Sequence, residues 1–269
     1  MAITTLDGVI AGFLPPENIY KSGPTMEAAG VMHSLFLAAG RPGAGTAPAT
    51  GINGAALTTL SGQIPFTNPT GGAFKYLARA DVSSTVFGTL LLFDRLWHNS
   101  GTVVTTTTAQ TITFPGLPAR DMGGSTDGVG VQIGIEVMTA TTNAGAIANT
   151  TISYTNSAGT AGRTGTIPSF PATAVAGTFV PFTLAAGDVG VRSVQSITLG
   201  TSYVAGAISL VAYRQVARIP LPAANGTTLL DAVQLGMPRL YDNTVLWPVW
   251  LASSTSGVTV HAQLVYTEG

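Results

Sequence analysis

The stretch VGVQIGIEVMT, Val129–Thr139, decides the fold class. Val129, Val131, Ile133, Ile135 and Val137 fall on every second position, with Gln132 and Glu136 between them. A strand turns successive side chains to opposite faces, so this spacing puts the five apolar residues on one face. The chain downstream repeats the signal in short runs: Thr150–Thr155, Gly162–Ile167, Thr178–Leu184, Val191–Leu199 and Gly206–Tyr213. Upstream lie Phe74–Ala80, Val82–Trp97 (interrupted at Gly88) and the Thr-rich, β-branched run Val103–Phe114. Two more strands are expected at Thr244–Ala252 and Val258–Thr267. Turns rich in Gly, Asn and Ser separate these runs at the spacing of a sandwich or barrel.

The remaining segments are less regular. Residues 1–23 read as an arm in which Pro15-Pro16 blocks both helix and sheet pairing. Its apolar residues, Phe13, Ile19 and Tyr20, either fold back on their own domain or lie on a neighbour. Residues 24–39 read as a helix. Pro24 suits its first position and Glu27 its positive end, Val31, Leu35 and Phe36 share a face, and Gly40 and Pro42 stop it. Residues 40–72 are nearly uncharged and rich in Gly, Pro, Ala and Thr, as expected of an extended segment pinned against protein, with turns at Asn53-Gly54 and Asn68-Pro69. Thr227–Leu235 can form a short helix, with Thr227 or Thr228 as its cap and Asp231 in its first turn. The expected fold is all-β: a jelly-roll-like β-sandwich with an N-terminal extended arm and one or two short helices. The division is residues 1–72 (arm, helix, extended segment) against a β body, 73–269.

Charge is scarce. The 269 residues include 11 Lys+Arg and 12 Asp+Glu, 9% charged in all, with net charge −1. Soluble domains average about a quarter charged residues, and a solitary protein stays dispersed through a charged skin. Much of this surface is therefore expected to face other protein. Nucleic acid is excluded as a partner, because phosphate neutralisation needs clustered Lys and Arg and the arginines here are scattered. No apolar run approaches the roughly 20 residues of a spanning helix, so no membrane partner is expected. The first residues lack a basic n-region and include Asp7, unlike a signal peptide. There is no cysteine, which removes disulfide and thiolate chemistry.

Motifs for catalysis are thin. Of the three histidines, His33 falls on the expected helix and His261 in a strand. His98 follows Asp94 by four positions, a spacing of about 13 Å if the segment is extended. No further ligands sit near that pair, as a metal or an acid–base pair would need. No nucleophile elbow is present. The glycines at 128, 130 and 134 lie inside the alternating strand, not at a strand-to-helix turn where they could cradle a phosphate. Asp121 and Asp127 flank Gly123-Gly124 in a loop with two carboxylates, far short of the six or more oxygens that calcium takes. Asn149-Thr-Thr151 and Asn225-Gly-Thr227 match the glycan-acceptor pattern without any secretory signal. No catalytic, cofactor-binding or metal residue is assigned. The aromatics Trp97, Tyr241, Trp247 and Trp250, with Phe13 and Tyr20 of the arm, are the candidate interface residues, since Trp and Tyr bury large areas with few rotors.

Three stretches, Thr25–Ala44, Leu90–Gly101 (LLLFDRLWHNSG) and Gly236–Leu251 (GMPRLYDNTVLWPVWL), together with the Ala/Gly/Thr richness, resemble structural proteins of tailed-bacteriophage virions, of the capsid decoration or cement type. The resemblance implies a non-enzymatic subunit of an assembled particle in the virion, formed in the bacterial host cytoplasm. It also implies a homo-oligomer, with a trimer favoured, and contact with the major capsid protein or other virion proteins. The alternatives are a tail, collar or receptor-binding component and, from a different class, a secreted hydrolase or lectin-like module.

Overall fold

A computed structural model describes residues 3–269. Its elements run in chain order as follows. Helix α1 (Leu6–Ala11) is capped by the Thr5 hydroxyl, which accepts from the Gly8 N–H. Strands β1 (Glu17–Ser22), β2 (Met32–Ser34), β3 (Ala39–Arg41) and β4 (Ala55–Ala56) precede the long strands β5 (Lys75–Ser84) and β6 (Gly88–His98). Next come β7 (Gln110–Thr111), β8 (Gln132–Thr139), β9 (Thr150–Asn156), β10 (Arg163–Ile167), β11 (Thr178–Pro181), β12 (Val191–Thr198) and β13 (Ala207–Leu221). The chain ends with β14 (Thr227–Leu230), α2 (Ala232–Leu235), β15 (Arg239–Leu240), β16 (Leu246–Ala252) and β17 (Thr259–Glu268). The protein is all-β, consistent with a sandwich, with two short helices among the described residues.

Two compact units form, each with its own core. The first comprises the segment up to Gly45 with Thr59–Asp94 and Gln215–Gly269; the second comprises Thr46–Thr58 and Arg95–Arg214. The divisions fall inside β6 and inside β13. This organisation differs from a boundary at residue 72: the arm residues belong to the first unit, and the body from residue 73 onward is shared between both. The reason is non-local. β1 pairs antiparallel with β17 near the opposite end of the chain, Tyr20 facing His261, which fixes the early residues in a sheet no local pattern foretells.

In the first unit one sheet runs β14-β5-β17-β1-β3, with β15 also on β5. β16 pairs with β2 and with the start of β6. The core between them holds Leu35, Leu77, Val82, Leu92, Ile219, Leu246, Trp250, Val260 and Leu264. In the second unit, β8 lies between β11 and β13, and β10-β9-β12-β7 form a four-stranded sheet. Val131, Ile133, Ile135 and Val137 are fully buried in its core with Tyr154, Ile167, Phe170 and Tyr203. The alternation of Val129–Thr139 thus places its apolar face inside, apart from Val129, which precedes the strand and is exposed.

Three expectations are corrected. Residues 24–39 form no helix: Met32–Ser34 is strand β2, paired with Leu251–Val249 of β16. Gly30 sits at φ +84°, and its N–H is taken by the Ala252 carbonyl. Ladder pairing and burial of Leu35 and Phe36 outweigh the local helical pattern. Val103–Phe114 is mostly loop, with only Gln110–Thr111 in a strand. The Gln110 side chain bonds both the N–H and the carbonyl of Val103 and closes the loop. Thr227–Leu230 pairs with β5 as a strand, and the helix starts only afterwards. Asp231, not Thr227 or Thr228, is its cap, accepting from Val233 and Gln234 while the Gln234 side chain accepts from the Asp231 N–H.

Candidate functional site

The expected interface aromatics divide sharply. Trp97, Trp247 and Trp250 are completely buried inside the chain and present nothing to a partner. Trp97 packs on Phe114 and donates to the Asn53 carbonyl. Trp247 meets Phe93 edge-on and donates to the Ser34 hydroxyl. Trp250 belongs to the first unit's core. Residues 247 and 250, three apart, lie on opposite sides of the strand, and both sides of β16 are covered. Tyr241 is half-buried, with the Arg239 guanidinium 4.8 Å from its ring centre. Of the six, only Phe13 (44%) and Tyr20 (41%) are exposed.

The titratable candidates are internal too. Asp94 and His98 lie on β6, an extended strand. Asp94 is buried and accepts the Val245 N–H, while His98 faces Ala55 across the β4–β6 ladder. Burial, helped by the charge of Arg95, pulls the His98 imidazole down to about 3. It is therefore neutral at working pH and unsuited to acid–base exchange. His33 is buried against the Glu27 carboxylate at 2.8 Å. The Asp121 carboxylate accepts from the backbone N–H groups of Gly123, Ser125, Gly128 and Val129 and from the Ser125 hydroxyl. It is a loop clasp rather than half of a cation cage, and Asp127 pairs with Arg192 instead. No group of three or more His, Asp or Glu able to hold a metal occurs among the described residues.

Three features were not legible beforehand. Glu136, expected on a polar strand face, is fully buried 2.5 Å from the equally buried Arg95. Lys21 is buried in β1, where its ammonium donates to the carbonyls of Ala38 and Gly43, and burial draws it down to about 8. The third is a concave patch of about 450 Å³ on the outer face of the β14-β5-β17-β1-β3 sheet. Residues directly opposite in antiparallel strands share a face, so the pairings Arg41–Tyr20, Tyr20–His261, His261–Ser83 and Ser83–Thr227 set five side chains in one row across five strands. The next row runs Asn18, Gln263, Asp81 and, on β14, the exposed Leu229. Tyr20 and His261 touch edge to face, ring centres 4.9 Å apart, and Gln263 donates to Asn18. Gly40 permits the row's first pairing. It lies opposite Lys21 at φ +144°, and a Cβ there would collide with the Tyr20 carbonyl.

Apolar side chains reach the surface at separate places. In the first unit Leu6 and Ile10 of α1 are exposed, followed by Phe13. In the second unit Met122, Val129 and Val189 are exposed together, because Met122 N–H bonds the Val129 carbonyl and Gly130 N–H bonds that of Val189.

No known protein family matches the chain, and no curated protein does. Among solved structures it is similar to "Structure of infectious bursal disease virus Gt strain", at 10% identity over 94% of this chain and 78% of that one, TM-score 0.19. A second is the infectious bursal disease virus VP2 subviral particle, at 10% identity over 94% and 79%, TM-score 0.19. A third is the Gx strain of the same virus, at 11% identity over 95% and 81%, TM-score 0.17. Scores this low do not establish a shared fold. No helix among the described residues is long and apolar enough to cross a membrane.

Proposed function

We propose that this chain is a non-enzymatic structural subunit of a bacteriophage virion, a decoration or cement protein that stabilises the capsid shell. The observation that carries the reading is a chain with 9% charged residues that exposes Leu6, Ile10 and Phe13 on one unit and Met122, Val129 and Val189 on the other. Separate apolar contact points suit a subunit that engages several neighbours at once. Binding only the assembled lattice stabilises it by mass action, and multivalence raises that effect without any single strong contact. The resemblance of Thr25–Ala44, Leu90–Gly101 and Gly236–Leu251 to virion proteins points the same way. A homotrimer set on the major capsid protein, in virions assembled in the host cytoplasm, is the arrangement proposed.

The test is particle-associated mass. Particles carrying the chain are expected to contain it in fixed stoichiometry with the capsid protein, and particles stripped of it are expected to burst at lower temperature. Met122→Asp with Val189→Asp is expected to abolish occupancy while leaving the fold intact. Mass travelling with isolated tails would assign the chain to a tail, collar or receptor-binding part instead. A monodisperse single molecule at high concentration, absent from any particle, would overturn the reading.

A further inference from the structure

We propose that the concave outer face of the β14-β5-β17-β1-β3 sheet binds a neutral saccharide, with the Tyr20 ring as stacking platform and Asp81, Gln263, Asn18 and Arg41 as hydroxyl partners. This goes beyond a shell-stabilising role and does not depend on it.

Four observations carry the inference. First, charge is scarce in this chain, with 23 charged residues in 269, yet the patch gathers Arg41, Asp81 and His261 within one concavity. Second, these groups are not absorbed by strong pairs. Arg41 has no carboxylate partner among the described residues, and Asp81 has only Arg79 at 3.9 Å, both partly exposed. Third, an edge-to-face pair occupies a face of one ring only, so the Tyr20–His261 pair leaves aromatic surface beside the polar groups. Fourth, the volume of about 450 Å³ is within the range of small-ligand sites, which combine apolar surface with a few fixed polar groups.

The chemistry selects among ligands. A sugar ring offers an apolar C–H face and a rim of hydroxyls that both donate and accept. Here the carboxylate of Asp81 accepts, the Arg41 guanidinium donates, and the Asn18 and Gln263 amides do both. Planar side chains in adjacent rows, on strands about 4.8 Å apart, can span neighbouring hydroxyls. An anion would require a positive cluster, whereas Arg41 shares the patch with Asp81. A protein partner would require an apolar centre that sheds water, whereas the exposed apolar residues of this face, Tyr20 on β1 and Leu229 on β14, are separated by the polar residues of β17 and β5.

The probes are maltotriose, cellotriose and chitotriose, each titrated against the full chain by saturation-transfer NMR. At least one is expected to receive saturation at millimolar concentration. Tyr20→Ala is expected to weaken it by about tenfold or more, Tyr20→Phe to leave it near the parent value, and Asp81→Asn to weaken it at an unchanged melting temperature. Should Tyr20→Ala fail to fold, Asp81→Asn with Gln263→Ala decides the matter. Transfer to none of the three sugars overturns the proposal, as does binding that survives the loss of Tyr20 or of both polar groups. Stronger response to inorganic phosphate than to any sugar would mark an anion site and overturn it. A change of sedimentation coefficient in Tyr20→Ala without sugar binding would mark a protein contact and do the same.

Discussion

The Arg95 guanidinium stands 2.5 Å from the Glu136 carboxylate, and neither side chain touches solvent. Two charges taken out of water cost more than one good contact returns, yet removing one partner is worse still, because the other is left buried alone. Glu136→Gln is expected to lose about 3–5 kcal/mol in urea unfolding, while Arg95→Met with Glu136→Leu should regain most of that loss. A loss below about 1 kcal/mol in the single variant would show that water reaches the pair.

His98 gives the fold an acid sensitivity. Its imidazole is held at about 3 in the folded chain against an ordinary 6.5. Between those values the unfolded chain binds more protons, so stability is full above pH 6.5 and falls as pH drops towards 3. Asp188, held to about 2 by Arg163, Tyr154 and Asn156, and Glu268, held to about 2 mainly by Thr70, move stability in the same direction over a lower pH interval. Their stabilisation is complete above the ordinary carboxylate range and is lost only below it. The interval from about pH 6.5 to 4.5 is therefore where His98→Gln should flatten the stability curve, by about 2 kcal/mol. An identical slope in parent and variant would place the titration elsewhere.

Trp250 and Phe13 should separate core from surface. Trp250→Ala opens a cavity in the first unit and is expected to cost about 3–5 kcal/mol. Phe13→Ser, on a half-exposed ring, should stay within about 0.5 kcal/mol but lower occupancy on particles. Equal thermal shifts in the two variants would contradict this division.

Asp121→Ala should loosen the 121–129 loop. Four backbone N–H groups lose their acceptor at once, and bonds to a carboxylate are the stronger kind. The expected cost is at least about 2 kcal/mol by chemical denaturation. Calcium or a chelator should leave the parent's melting temperature unmoved; a rise with calcium would show that the loop is a cation site after all.

Strand period was legible in Val129–Thr139, although β8 is buried on both faces, and a short helix was legible near Asp231, although its start was expected at Thr227 or Thr228. Burial on both faces was not. β16 reads LWPVWLA whether its tryptophans face a partner or an interior, because period two fixes the side of the strand and says nothing of what covers it. The helix expected at 24–39 failed for a related reason. Its apolar spacing suited a helix, but β16 offered Met32–Ser34 a ladder that local preference cannot foresee.

Sequence by itself determined an all-β chain, poor in ions, with no cysteine chemistry and no metal-ligand spacing. Those properties follow from residue type and from neighbours a few positions away. Tertiary structure alone decided that Tyr20 faces His261 across 241 positions of chain, that Glu136 finds Arg95, and that three tryptophans lie inside. Each of these depends on which strand lies beside or over another, and that is settled by the packing of whole sheets around two cores rather than by any local pattern.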